Sequence, residues 1–205
     1  MKTVTQQDSG FRCVIPSVVW LEACENYRKQ SWRNRFRFYA ADGAESLSIP
    51  VVHDGGGEGI PIREVRIDWS GGWPVRHKRA ITSAYSGSPF FEYYRDGLFA
   101  AMDERPEFLF DYNLRIINYL LEKFGISADI RITEDYTPEG EPGPYGEDFR
   151  AAIHPKRPDT VLRDLDLEKP YFQVFSRKYG FIPNLSAVDL LFNEGPDSIF
   201  WIYKV

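Results

Sequence analysis

Apolar residues recur along this chain in two rhythms, and each rhythm predicts a different element. In the first third they come in short β-branched and aromatic groups. Ser17 to Cys24 predicts a buried strand, although Leu21-Glu-Ala-Cys24 would also propagate a helix. Over 33 to 40 the period is two: Arg33, Arg35 and Arg37 fall on one face, and Trp32, Asn34, Phe36 and Phe38 on the other. Asp42-Gly43 then predicts a hairpin turn, with Leu47 to Val52 as the partner strand. Ile62 to Trp69 predicts a third strand, ended by Gly71-Gly72.

The middle of the chain switches to a helical period. Pro74 opens a helix that places His77, Ile81, Ala84 and Tyr85 on one stripe. Ser88-Pro89 predicts an N-cap and first turn for a second helix, with Phe91, Tyr94, Leu98 and Met102 on its apolar side. After Pro106 a third stripe runs through Leu109, Tyr112, Ile116, Leu120 and Phe124 and stops at Gly125. Ile126 to Thr133 predicts a strand and Pro170 to Lys178 a short helix. Ser186 with Asp189 forms a capping box for a helix over 187 to 193, and Ile199 to Tyr203 predicts a closing strand. Helices grouped between strands give an α+β fold: a single domain over 11–205 with a mixed or antiparallel sheet and a helical segment in mid-chain. Residues 1–10 are expected to be a flexible terminus. Two connections are expected to be loops, His53 to Gly59 and the acidic Gly/Pro-rich 134–150.

Composition narrows the function by exclusion. The 25 basic residues are outnumbered by 30 acidic ones, and a net charge of -5 argues against a dedicated nucleic-acid binder. No apolar run reaches a membrane-spanning length, and no basic and apolar leader opens the chain, so a cytoplasmic location is expected. Two cysteines, Cys13 and Cys24, make no disulfide framework. Histidines at 53, 77 and 154 have no metal-ligand spacing, and the glycines at 55, 56, 57 and 59 lead into Ile60-Pro61 instead of a phosphate-binding helix.

Local chemistry is concentrated at 28 to 37. Asn34 is an amide on an aromatic face, so it either contacts a substrate or caps a neighbouring strand. Lys29 and the arginines grip an anion or form a solvated charged face, the latter reading fitting Arg33 and Arg37. His77 lies on an apolar stripe, as an acid–base group or a hydrogen-bonded core residue. Asp189 is a helix-capping carboxylate first and a catalytic group second. Cys24 has no assigned base and reads as a small buried hydrophobe.

Four segments together resemble the WbqC-like family: Glu25-Asn-Tyr-Arg-Lys-Gln-Ser-Trp-Arg-Asn-Arg35, Ser88-Pro-Phe-Phe-Glu-Tyr-Tyr94, Tyr171-Phe-Gln-Val-Phe175, and Gly180-Phe-Ile-Pro-Asn-Leu-Ser-Ala-Val-Asp-Leu-Leu-Phe-Asn-Glu-Gly-Pro196. The likeness runs from about residue 18 to residue 196. It implies a bacterial protein of surface-polysaccharide (O-antigen) precursor synthesis that transfers an acyl or aminoacyl group to an amino sugar. The alternative is a non-catalytic sugar- or protein-binding component of a polysaccharide-assembly complex. The family pattern falls on Tyr27, Lys29, Trp32, Asn34, Arg35, His77, Tyr85, Gln173, Asn184, Asp189 and Asn193. On this reading His77, Asn34 and Asp189 are the catalytic candidates, with His77 as base. Lys29 and Arg35 hold an anionic donor or nucleotide, Gln173 helps Asn34 orient the amide, and Tyr27, Trp32, Tyr85 and Asn184 complete the substrate site. The expected ligand is a nucleotide-linked amino sugar or another small anion, with no metal and no assigned cofactor. Family members begin with a longer segment ahead of the equivalent of Val18 than the 17 residues found here.

Overall fold

In the computed structural model, which describes residues 18–52, 59–139, 148–150, 161–165 and 167–202, the chain folds back on itself at Ala41-Asp42. There β2 (Arg35–Ala40) pairs antiparallel with β3 (Gly43–Ser48), Ala40 opposite Gly43 and Arg35 opposite Ser48. Gly43 takes φ 113°, a conformation that glycine alone adopts at little cost, and the hairpin expected at Asp42-Gly43 follows. The partner strand starts at Gly43 and stops at Ser48, short of the Val52 expected. The second pair is parallel: β1 (Val18–Leu21) lies beside β4 (Asp129–Ile132), from Val18 opposite Asp129 to Leu21 opposite Ile132. Helices with one parallel and one antiparallel strand pair make the fold α+β.

The alternation read across residues 33 to 40 fails at its start. Trp32–Asn34 is a turn of 3-10 helix, capped by Ser31, whose Oγ accepts from Arg33 N at 3.4 Å. Asn34 is therefore not a strand residue. Nor is the opposite face of β2 a solvated row, because Tyr39 lies buried there against Phe175 and Tyr179. Its hydroxyl donates to the carbonyls of Gly180 (2.9 Å) and Phe175 (3.2 Å).

The third strand expected at Ile62 to Trp69 does not form. Ile62–Glu64 is a 3-10 turn, and the backbone around it bonds piecemeal to three segments. Ile62 N reaches Glu25 O (2.8 Å), Val52 N reaches Arg66 O (2.9 Å), and Ile67 N reaches Glu107 O (2.9 Å). The donors and acceptors are satisfied without a ladder.

The helices follow the stripes. In α1 (Trp73–Tyr85), Pro74 sits in the first turn, and His77, Ile81, Ala84 and Tyr85 are all buried. In α2 (Phe91–Asp103) the buried residues are Phe91, Leu98 and Met102, but Ser88 is not its cap: the helix starts at Phe91 and the Ser88 hydroxyl is buried without a partner. α3 (Leu109–Lys123) ends at Gly125, φ 67°. Gly97 lets α2 approach α3 closely, since a Cβ there would stand 2.8 Å from the Tyr119 ring. The Tyr119 hydroxyl bonds back to Tyr94 O at 2.7 Å.

The C-terminal part departs most from expectation. α4 (Val161–Asp164) and α5 (Ser176–Tyr179) are single turns, so the helix expected over Pro170 to Lys178 is reduced to its end. α6 (Ala187–Glu194) forms as read and carries Val188, Leu191 and Phe192 into the core. The closing strand is instead a helical turn, α7 (Ile199–Ile202), entered through a 3-10 turn at Gly195–Ser198. The core itself joins α1, α2 and α6, with Phe192 packed on Tyr85 (5.2 Å between ring centres) and on Phe91 (5.1 Å). Each such ring contributes on the order of 2–3 kcal/mol by its burial. The expected flexible terminus, residues 53–58 of the first loop and 140–147 of the acidic loop lie outside the described residues.

Candidate functional site

A cavity of about 700 Å³ lies between the β2–β3 hairpin and the three long helices, with the segments at 20 to 25 and 184 to 188 closing its sides. Phe36, Leu47 and Ile49 face it from the hairpin, and Ile81, Leu98, Met102, Tyr112 and Ile116 from the helices. That volume is in the range of small-molecule sites, and apolar walls with a few convergent polar groups are their usual composition.

The polar groups converge at the open end of the hairpin. Asn34 O accepts from Ile49 N at 2.8 Å, and Asn34 Nδ2 donates to Ile49 O at 3.0 Å, so residue 49 clamps both the backbone and the side chain of Asn34. Arg35 follows directly and lies opposite Ser48. From α1, the buried His77 ring approaches the Ser48 backbone. Asn34, Arg35 and His77 thus meet around residues 48 and 49, and all three line the cavity.

These groups differ in how well they are satisfied. Among the described residues, Asn34 Oδ1 and Arg35 Nε are both buried without a hydrogen-bond partner. Arg35 and Arg37 have no carboxylate within 4 Å among the described residues, whereas Arg33 and Arg150 are paired. Arg33 grips Glu25 in bidentate fashion (2.5 and 2.6 Å), which corrects its reading as a solvated strand residue. Its carbonyl accepts from Asn113 Nδ2 at 2.7 Å. Arg150 reaches Glu22 Oε2 at 3.2 Å and the Thr137 carbonyl at 2.8 Å, while Glu22 Oε1 accepts from Cys24 N (2.7 Å) and the Thr133 hydroxyl (2.9 Å). Burial, with the neighbouring Arg76 charge, lowers the His77 pKa to about 4 against the pull of the Ser48 backbone. His77 is therefore a neutral imidazole at pH 7.

Trp32 and Asn184 also line the cavity, Asn184 with the left-handed φ of 54°. Tyr27 is half-buried beside Arg33 and Arg35; burial raises its pKa, and the two guanidinium charges oppose the rise. Lys29 is exposed on a turn outside the cavity lining.

Tyr85, Gln173 and Asp189 form a different constellation. Asp189 Oδ2 accepts from the Tyr171 hydroxyl (2.7 Å) and Gln173 Nε2 (3.1 Å), and Gln173 also brackets Ile182 through N–H and carbonyl (2.9 Å each). Burial raises the Asp189 pKa, and the hydrogen bonds with Tyr171, Tyr85 and Gln173 oppose the rise. Burial and the Asp189 charge push the Tyr85 hydroxyl well up in turn. Asn193 Nδ2 donates to Asp189 O at 2.7 Å. The capping box is thus half formed: Ser186 caps α6, but the Asp189 carboxylate turns inward to hold 171 to 182 against the helix.

Sequence reasoning missed Glu22, Glu25, Asn113 and Arg150. Each acts through a partner distant in sequence or across a turn, and nothing in its own neighbourhood marks it. Among the described residues, no group of three or more His, Cys, Asp or Glu side chains is placed to hold a metal ion, and no helix is long and apolar enough to cross a membrane.

The uncharacterized protein Rv1507c of Mycobacterium tuberculosis (strain ATCC 25618 / H37Rv) is 28% identical over 193 residues, covering 84% of this chain and 81% of its own length. No solved structure matches. The profile of the WbqC-like protein family matches residues 16–151, which include β1 to β4, the three long helices, Asn34, Arg35 and His77. This chain is a member of the WbqC-like protein family.

Proposed function

We propose that this protein transfers an activated acyl or aminoacyl group to the amine of a sugar in surface-polysaccharide precursor synthesis, with the acyl part seated in the cavity. The observation that carries the reading is that Asn34, Arg35 and His77, each tied to residue 48 or 49, all line one large apolar cavity. An apolar cavity accommodates an acyl group, and an unpaired guanidinium binds the carboxylate or phosphate of a donor or nucleotide. In the reaction the sugar amine attacks the acyl carbonyl of a thioester or acyl phosphate. The new C–N bond forms, the bond to the leaving sulfur or oxygen breaks with its electron pair, and the attacking nitrogen loses a proton. His77, neutral at pH 7, is the acceptor for that proton, as a weak base whose pKa burial lowers to about 4. No nucleophile on the enzyme is required. Tyr27, Lys29, Tyr85, Gln173 and Asp189 lie outside the cavity lining.

Incubation with acyl thioesters and nucleotide-linked amino sugars, followed by mass spectrometry, tests this. The expected product carries the mass of the acyl group, and His77→Ala is expected to abolish it while the protein remains folded. Saturable binding without any mass change would instead identify a binding component of a polysaccharide-assembly complex. The burial that makes His77 a weak base favours that second reading.

A further inference from the structure

We infer that the ligand of the cavity is an acyl group that carries both a hydrogen-bond donor, N–H or O–H, read by Asn34 and an anionic group read by Arg35. The inference rests on the cavity being the substrate site, as proposed above, but not on any particular reaction there.

The direction of the Asn34 amide is the key. An asparagine side chain can ordinarily turn over to offer either its NH2 or its oxygen. Here Nδ2 donates to Ile49 O at 3.0 Å, and turning the amide over would set oxygen against oxygen. Oδ1 is therefore fixed as an acceptor on a residue of the cavity wall, and it is buried without a partner among the described residues. An ionised carboxylate or phosphate has no hydrogen to offer it. A bare fatty acid would leave Oδ1 unsatisfied, whereas an amide N–H or a hydroxyl on the acyl group would satisfy it.

The next residue makes the opposite demand. Arg35 Nε is a buried donor without an acceptor, and no carboxylate of the described residues pairs with its guanidinium. Glu22 and Glu25, the acids at this cavity, are already taken by Arg150 and Arg33. His77 adds no charge at neutral pH. Among the described residues, four arginines line the cavity against Glu22, Glu25 and the Asp148 carboxylate that also holds Arg150, which leaves one positive charge in excess. A neutral ligand would leave that excess uncompensated, and an anion would neutralise it. A bare sugar nucleotide fits poorly inside these walls, because its many hydroxyls would meet mainly Phe, Leu, Ile and Met. An N-acyl amino acid meets all three demands, having an apolar chain, an amide N–H and a carboxylate one carbon apart.

Three ligands that differ by one group each test the inference by isothermal titration with the whole chain: N-decanoylglycine, its N-methyl analogue, and its methyl ester. The acid is expected to bind. The N-methyl compound, without the donor, is expected to bind about tenfold more weakly, and the uncharged ester at least as weakly. Asn34→Ala should make the acid and its N-methyl analogue equal, and Arg35→Gln should make the acid and the ester equal. Equal binding of acid and N-methyl acid by the unaltered protein would overturn the role of Asn34. Equal binding of acid and ester would overturn that of Arg35. Failure of all three at about millimolar concentration would overturn the ligand class. Because binding is read without turnover, acid-selective binding with no transfer product would dismiss the transferase and leave this inference standing.

Discussion

Asn34 was marked by one local conflict, a polar amide among aromatic residues, and the conflict is real although the strand that exposed it is not. A 3-10 turn carries Asn34, yet its side chain still faces an apolar space with one oxygen unsatisfied. His77 was legible as part of a buried stripe, but its neutrality depends on burial and on Arg76, which no spacing reveals. Its pKa is lowered from 6.5 to about 4, so between those values the unfolded chain binds a proton that the folded chain refuses. Stability contributed by neutral His77 is whole above pH 6.5 and is lost as the pH falls toward 4, by roughly 2–3 kcal/mol. Urea midpoints across that window should slope less in His77→Gln than in the unaltered protein, and parallel slopes would contradict this. Glu25 makes a sharper case. Its partner Arg33 is only 18% exposed, so Glu25→Ala should cost about 2–4 kcal/mol by leaving a largely buried charge unpaired. Replacing both residues by apolar ones of similar length should restore most of that loss, and a double-mutant cycle measures it.

At the scale of elements, legibility follows the range of the interactions that build each one. The stripes of α1, α2, α3 and α6 come from neighbours three and four residues apart, and all four helices form, α2 from Phe91 without the expected Ser88 cap. The hairpin is equally local. The segment at Ile62 to Trp69 instead bonds to 23–25, 50–52 and 107–109, and α7 is fitted against Tyr171 through Trp201. Such partners are chosen by tertiary packing, which overrides local preference. Gly195 shows how tightly one of these junctions is made. It takes φ 56° between α6 and the following turn, and a Cβ would stand 2.5 Å from the Phe90 ring. Gly195→Ala should therefore destabilise by about 2–4 kcal/mol, from strain and overpacking together. Gly125→Ala, with φ 67° but nothing within 4 Å, should cost only about 1 kcal/mol. Equal costs for the two would show that the ring yields freely.

For the molecule as a whole, the unsatisfied groups of the cavity set a conflict between holding a fold and holding a ligand. Arg35 keeps a donor buried without an acceptor, and its guanidinium has no counter-charge among the described residues. A methionine would keep an unbranched, apolar side chain and remove the desolvated donor. Arg35→Met is therefore expected to raise the stability of the free protein by about 1 kcal/mol, as a higher urea midpoint with an unchanged slope. The same change should erase the benefit of an anionic ligand. For the unaltered protein that benefit is about 2.7 kcal/mol at a ligand concentration one hundred times Kd, because the ligand binds the folded state alone. Unaltered protein with ligand should then outlast the variant, and the variant should outlast unaltered protein without it. That crossing is the expected mark of a residue retained for binding at some expense of stability. A lower midpoint for free Arg35→Met would show that the guanidinium contributes to the fold itself, and its orphaned nitrogen would no longer point to a ligand.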